Sequence, residues 1–193
     1  GLYLTPFIYL SIAAGVGISL FSEEVIALLT PSNFHGATEV VIILSMFYGI
    51  MFFGKQPQLI YVKKTHLSSV LSFISIFLNV GLNIPFIMQW GINGAAWATF
   101  LAGLLTVSIS FVISQHYYKI DWEYRKVGAI YLLFLISSIT MIIMRHIGFD
   151  YLLRLLVKFT FLSAYLYLGV KLKIITKENI RLIKKSITFR PSI

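Results

Sequence analysis

Apolar runs of about 18 to 25 residues recur along this chain, the length a helix needs to cross a hydrocarbon core about 30 Å thick. They fall near residues 3–21, 37–62, 66–88, 91–114, 127–144 and 151–170. The runs are continuous, whereas the strands of a membrane barrel would alternate apolar and polar residues, so they predict helices. Between the first two lies a short amphipathic piece, Ser22-Glu23-Glu24-Val25-Ile26-Ala27-Leu28-Leu29, expected to rest at the membrane interface. The expected fold is all-α: a polytopic transmembrane helix bundle of about six spans.

The second run has two readings. Its clean apolar part stops at Phe53, and Gly54-Lys55-Gln56-Pro57-Gln58 precede Leu59-Ile60-Tyr61-Val62. Either the helix ends at Phe53, or it continues to Val62 with Pro57 as a kink and Lys55, Gln56 and Gln58 at membrane depth. Neighbouring helices can re-satisfy the carbonyl that a proline frees, and an apolar patch running into Lys63-Lys64 resembles a helix end.

Charge sets the orientation. The first, third and fifth connections and their flanks carry Glu23, Glu24, Glu39 and Asp150 but one strong base, Arg145. The second carries Lys63 and Lys64, the fourth Lys119, Arg125 and Lys126, and the tail from Lys171 to Arg190 seven bases. Lysine and arginine collect in cytoplasmic loops, so the even connections and a cytoplasmic C-terminus are expected on one side. The chain is 58% hydrophobic and 12% charged, about half the charge of a soluble domain. Its net charge of +9 follows from topology, and the basic tail reads as a segment lying on anionic lipid rather than as a nucleic-acid module. There is no cysteine, which excludes disulfides, thiolate metal sites and a cysteine nucleophile. The chain begins at Gly1 with an apolar run close behind, and is read as a fragment lacking its N-terminal part.

Polar residues at membrane depth mark candidate sites, because they are costly unless they face a cavity or a partner. Lys55, Gln56 and Gln58 form one candidate substrate-binding group, against the alternative of a lysine stretching to the headgroups. Arg154 and Lys158, four apart on one face of the last span, form another. Two unpaired cations there suit an anionic ligand such as a pyrophosphate or a lipid headgroup; a lipid-facing anchor explains them equally well. Asn79 and Asn83 are expected to bond between helices, with ligand contact the lesser alternative. Glu23 and Glu24 read as solvated charges. Tyr48, Tyr61 and Tyr165 are weak candidates for stacking on sugars. The four histidines lack metal-ligand spacing, so neither metal nor cofactor is expected. No serine lies beside a histidine and an acid in a recognisable order, and no catalytic residues are assigned.

The fourth run opens with small residues. Gly94, Ala98 and Ala102 fall four apart, as do Ala95, Thr99 and Gly103, leaving two bare stripes along which helices can pack closely in lipid. The wording also carries a resemblance. Asn79-x-x-x-Asn83-x-Pro85, followed by Gly91-Ile92-x-Gly94-Ala95-Ala96-x-Ala98-Thr99, resembles the second-lobe signature of polysaccharide and O-antigen flippases in the multidrug/oligosaccharidyl-lipid/polysaccharide (MOP) exporter superfamily. Thr5-Pro6, Phe21-Ser22-Glu23-Glu24-Val25 and Val62-Lys63-Lys64-Thr65 follow in the matching order.

This resemblance implies part of a MATE-like two-lobe transporter. Residues 1–114 would be later helices of the second lobe, 115–170 an additional C-terminal helix pair, and 171–193 a basic cytoplasmic tail. It implies no enzyme, but alternating-access flipping of a polyprenyl-pyrophosphate-linked oligosaccharide across a bacterial inner membrane. The partners would be membrane lipid, the lipid-linked oligosaccharide and a missing N-terminal lobe. Two other readings stay in view. A cation-coupled multidrug exporter would favour buried carboxylates, which these spans essentially lack. A membrane-embedded glycan polymerase or acyltransferase would need a larger outer loop than these short connections provide.

Overall fold

The structure, a computed structural model, describes residues 4–54 and 58–174, without the side chains of 52–54. Every regular element among them is helical. α1 (Leu4–Leu20) carries Pro6 in its first turn, where a missing N–H costs nothing. It bends by 67° into the short α2 (Ser22–Leu29). A 3₁₀ turn (Ser32–Ala37) leads to α3 (Thr38–Gly54), and α4 is a single turn (Gln58–Tyr61). α5 (Thr65–Tyr117), α6 (Tyr124–Ile147) and α7 (Tyr151–Lys171) complete the chain. α6 stops at Gly148 in the left-handed conformation (φ 81°), and the Asp150 carboxylate caps α7 by accepting from the Leu152 N–H at 3.3 Å.

Among the described residues four helices, α3 with its preceding turn, α5, α6 and α7, are long and apolar enough to cross a membrane; the bent α1–α2 pair, taken as one span, makes five. The chain therefore reads as a multi-pass membrane protein. α5 is not one rod. Gly91 (φ 57°, ψ −131°) breaks its 53 residues into two arms, residues 65–90 and 92–117, of 26 residues each. At 1.5 Å per residue, either arm is about 39 Å long, enough to cross alone. The arms run back antiparallel: Ser68, Ser72 and Ser75 of the first share a cleft with Thr106 and Ser110 of the second. Where the turn closes, a Cβ on Gly94 would stand 1.9 Å from the Phe86 carbonyl oxygen. Gly91 is needed for its positive φ, Gly94 for the closeness of the two backbones.

Small residues carry the rest of the packing. Gly94, Ala98 and Ala102 are all buried, and Gly103 sits beneath the Phe47 ring of α3, where a Cβ would come within 2.5 Å. The second stripe stays partly open at Ala95 and Thr99, whose hydroxyl bonds back to the Ala95 carbonyl at 2.9 Å. At the centre, Phe134 of α6 is fully buried against Gly15 of α1 and Gly49 of α3. Interhelical hydrogen bonds brace this core. The Ser19 and Ser138 hydroxyls meet at 2.7 Å, and the Tyr131 hydroxyl donates to the Gly49 carbonyl at 2.8 Å. Tyr9 and Tyr165 form a reciprocal clasp: each hydroxyl donates to the other's carbonyl (3.1 and 2.6 Å), and their rings stack at 4.7 Å.

The connections alternate between two ends. At one end the Gln58 amide donates to the Tyr118 carbonyl, the Thr5 hydroxyl to Glu123, and Lys64 lies over the Tyr117 ring. This end gathers Lys63, Lys64, Lys119, Arg125, Lys126, Lys171 and Lys173. At the other, Asn93 donates to Glu39 (2.9 Å) and Arg145 to the His35 carbonyl (2.9 Å). The described helix stops at Gly54 and resumes at Gln58, so Lys55, Gln56 and Pro57, on which the two readings of the second run turn, lie outside the described residues. So does most of the tail, residues 175–193.

Gly94→Ala should cost about 1–3 kcal/mol, because its methyl meets backbone and not a flexible side chain. Gly17→Ala, with nothing within 4 Å of the added carbon, should be neutral or stabilising. Thermal unfolding of the detergent-solubilised variants, followed by size exclusion, separates the two; equal melting would refute the close approach.

Candidate functional site

The less basic end holds a charged network between α2 and α7. Lys158 is 1% exposed, although an ammonium at that depth is expensive unless paired. Its Nζ donates to Glu24 Oε1 at 2.7 Å and Oε2 at 2.9 Å, and to Glu23 Oε2 at 2.9 Å. Arg154, one turn earlier, reaches Glu23 Oε1 at 3.5 Å, and the Tyr151 hydroxyl donates to Glu24 at 3.0 Å. The helix makes this arrangement possible: residues 151, 154 and 158 lie on one face, against the first turn of α2. The expectation of solvated glutamates and unpaired cations is corrected here. Lys158 needs the carboxylates because it is cut off from water once the bend carries α2 against α7, while Glu23, Glu24 and Arg154 keep part of their solvent.

Arg145, near the end of α6, joins this cluster without an acid among the described residues. One guanidinium nitrogen donates to the His35 carbonyl, while its Nη1, like the Nε of Arg154, is buried without a partner. A pocket of about 350 Å³, lined by Glu23, Glu24, His35, Thr38, Arg145, Tyr151 and Arg154, opens beside them. Sequence reasoning saw Arg145 only as the single base among the outer connections. Its nearness to Arg154 is a tertiary fact with no signature in local spacing.

The basic end holds a different feature. A cleft of about 250 Å³ between the two arms of α5 is lined by Ser68, Ser72, Ser75, Thr106 and Ser110, with Met51 and Leu59 at its side. Ser72 and Thr106 donate to carbonyls four residues back, leaving their oxygens able to accept. Next to Leu59, Gln58 is 2% exposed; its amide nitrogen bonds Tyr118, but its Oε1 has no partner, nor has the buried Ser114 hydroxyl one turn beyond Ser110. The cleft is a neutral, hydroxyl-rich concavity, and these unpartnered groups belong to residues neighbouring its lining in sequence. Serines at 68, 72 and 75, and hydroxyls at 106, 110 and 114, are helical spacings that the sequence displays and that sequence reasoning passed over.

Gln58 is the member of the first candidate group that the structure describes. Asn79 and Asn83 pair with each other along one arm: the Asn83 amide donates to the Asn79 carbonyl at 2.8 Å and to its side-chain oxygen at 2.6 Å. The expected bonding between helices is corrected, since four-residue spacing places each amide within reach of the other. Tyr165 is closed off by its clasp, while Tyr48 and Tyr61 are exposed. Among the described residues, no three His, Asp or Glu side chains gather to hold a metal.

Outside the spans, Glu123 links the fourth connection to α1. The Lys126 ammonium at 2.5 Å and the Thr5 hydroxyl at 2.6 Å hold its carboxyl below its ordinary value of 4.5.

No protein-family model matches the chain, and no solved structure does. Among curated proteins it is similar to the probable low-salt glycan biosynthesis flippase Agl15 of Haloferax volcanii, at 31% identity over 133 residues. The aligned part is 65% of this chain and 27% of that protein, so the match spans about a quarter of the relative's length.

Lys158→Met strands Glu24 and leaves Glu23 to Arg154 alone, and should destabilise the protein by about 3 kcal/mol, the low end for a broken buried pair because Glu24 keeps some solvent. Adding Glu24→Gln, which leaves the Arg154–Glu23 pair intact, should restore most of the loss; no recovery in the melting temperature would mean Lys158 acts by packing alone. Because Glu123 is lowered on folding, its contribution is present above about 4.5 and lost as pH falls through the lower folded value. Melting curves from about pH 6 to 3 should show an acid step that is smaller in Glu123→Gln than in the wild type, the remainder coming from the paired Glu23 and Glu24.

Proposed function

We propose that this chain is the membrane-embedded part of a flippase for lipid-linked glycans. The observation that carries the proposal is its 31% identity over 133 residues to part of a probable glycan biosynthesis flippase. The geometry supports it. With the α5 arms counted separately the described helices offer six crossings, and the lysine-rich connections support a cytoplasmic position for the hydroxyl cleft. A glycan carries many hydroxyls and needs partners that exchange hydrogen bonds without fixed charge, as the serines and threonine of the cleft do. Lys55, Gln56 and Gln58 lie next to it in sequence and are the contacts proposed for the pyrophosphate, whose charge cannot cross hydrocarbon unaided. Arg154 and Lys158, balanced by Glu23 and Glu24, are proposed as the charged contacts at the outer end. The reading extends to a second lobe of a MATE-like transporter, to alternating access, and to a polyprenyl carrier serving surface polysaccharide such as O-antigen in a bacterial inner membrane. A cation-coupled drug exporter is less well supported: Glu23, Glu24 and Glu39 are already engaged by Lys158, Arg154 and Asn93.

Loss of the gene should leave lipid-linked glycan accumulating on the cytoplasmic leaflet and deplete the surface glycan. Complementation with Ser72→Leu plus Ser110→Leu, which lines the cleft with carbon, should give at least about tenfold less surface glycan, the effect of one or two lost hydrogen bonds. Full complementation by this variant would remove the cleft from the pathway. Normal surface glycan after gene loss would remove the function.

A further inference from the structure

We propose that the outer pocket bordered by Arg145 and Arg154 is a binding site for the phosphate headgroup of an anionic lipid. The inference does not depend on transport.

The charge balance leads to it. The cluster holds three cations, Arg145, Arg154 and Lys158, against two carboxylates, Glu23 and Glu24. Lys158 engages both oxygens of Glu24 and one of Glu23, and Arg154 engages the other. Arg145 is left with a backbone carbonyl and a buried Nη1 without a partner, and Arg154 with a buried Nε in the same state. A buried charged donor without an acceptor is costly, and one anion in the pocket that both guanidiniums line would neutralise the cluster and let them turn their free N–H groups toward it. Guanidinium forks suit phosphate oxygens better than a lysine does.

Space and depth select the kind of anion. The void on the inner side of Arg145 and Arg154 is about 10 Å³, room for no more than a water, so an anion must enter from the open pocket of about 350 Å³. That pocket is bounded by the end of α6, the start of α7, the first turns of α2 and the start of α3, the ends of apolar helices, where a spanning helix meets the headgroups. Its elements also present apolar side chains outward: Leu28 and Leu29 on α2, Phe34 in the 3₁₀ turn and Phe149 after α6 are all exposed. A phosphate joined to an apolar tail satisfies both halves of this surface. Two sources share that chemistry, a phospholipid of the bilayer and a polyprenyl phosphate.

The test uses the detergent-solubilised chain and native mass spectrometry with three probes: phosphatidylglycerol, a long-chain polyprenyl phosphate, and diacylglycerol as the uncharged control. The wild type should retain at least one phosphate lipid and not diacylglycerol. Arg145→Gln should weaken that retention at least about tenfold, the loss of a charge-assisted hydrogen bond, and Arg145→Lys should restore part of it. Ala27→Trp, which fills the pocket from α2 and leaves every charge in place, should weaken it too and guards against misfolding of Arg145→Gln. Stronger retention of phosphatidylglycerol identifies a structural lipid, and of polyprenyl phosphate a carrier. Retention of diacylglycerol equal to that of the phosphate lipids would overturn the proposal. So would phosphate-lipid binding that neither Arg145→Gln nor Ala27→Trp reduces.

Discussion

An ammonium buried to 1% exposure in a membrane helix is tolerable only if carboxylates come to meet it, and that requirement shapes the outer half of this protein. Lys158 cannot stretch to water, so Glu23 and Glu24 must be carried over it. The 67° bend between α1 and α2 does this, laying the first turn of α2 across the face of α7. Once the bend is set, α1 lies against both α6 and α7, where the Ser19–Ser138 and Tyr9–Tyr165 contacts can form. The ion pairs therefore act less as a source of net stability than as a choice of arrangement. A bundle of apolar helices has many comparable packings, and one that leaves Lys158 unpaired is strongly disfavoured.

Elsewhere the same solvent imposes a different economy. Lipid gives no hydrophobic reward for burying one apolar helix against another, so closeness and hydrogen bonding decide the contacts. Glycine and alanine supply closeness: the hairpin at Gly91, the Gly94–Phe86 approach, Gly103 under Phe47, and the paired hollows of Gly15 and Gly49 that receive Phe134. Hydroxyls supply the bonding, and most of them return to a carbonyl on their own helix. Ser19, Ser138, Tyr9, Tyr131 and Tyr165 instead reach across, and these five sit within α1, α6 and α7, the helices that enclose the core with α3.

The spans were legible because hydrocarbon thickness dictates their length, and the small-residue stripe because four-residue spacing is a property of the helix itself. The break between the third and fourth runs was legible for a similar reason, since each run is long enough to cross alone, but Gly91 reads as the start of the fourth run and its positive φ appears only in the structure. What escaped was long-range or had a nearer competitor. Glu23 and Glu24 lie 135 and 134 residues from Lys158, and nothing in an amphipathic octapeptide announces a partner so remote. Asn79 and Asn83 were assigned to a neighbouring helix, yet a partner four residues away is always in reach, and it prevailed. The hydroxyl cleft was written in both arms of α5 at helical spacing. It was overlooked because serine in a membrane helix usually bonds to its own backbone, and only the folding back of the arms turns two such rows into one concavity.

The two ends of the bundle differ in kind, and the difference bears on what the protein can handle. At the basic end the concavity is neutral and rich in hydroxyls, a surface that exchanges hydrogen bonds with a polyol at little electrostatic cost. At the other end Glu23, Glu24, Arg154 and Lys158 form a closed ion network, and Arg145 beside it has no ion pair among the described residues. A site with several unpaired cations would hold a phosphate too firmly to release it, whereas one with none would not attract it out of water. A single excess guanidinium beside a closed ion network lies between these limits. An arriving anion can engage Arg145 and the free edge of Arg154 while Lys158 keeps both of its carboxylates, so binding need not unlock α2 from α7. The network that fixes the arrangement and the cation left over from it are thus separable, and lipid or carrier could come and go at the pocket without loosening the bundle that forms it.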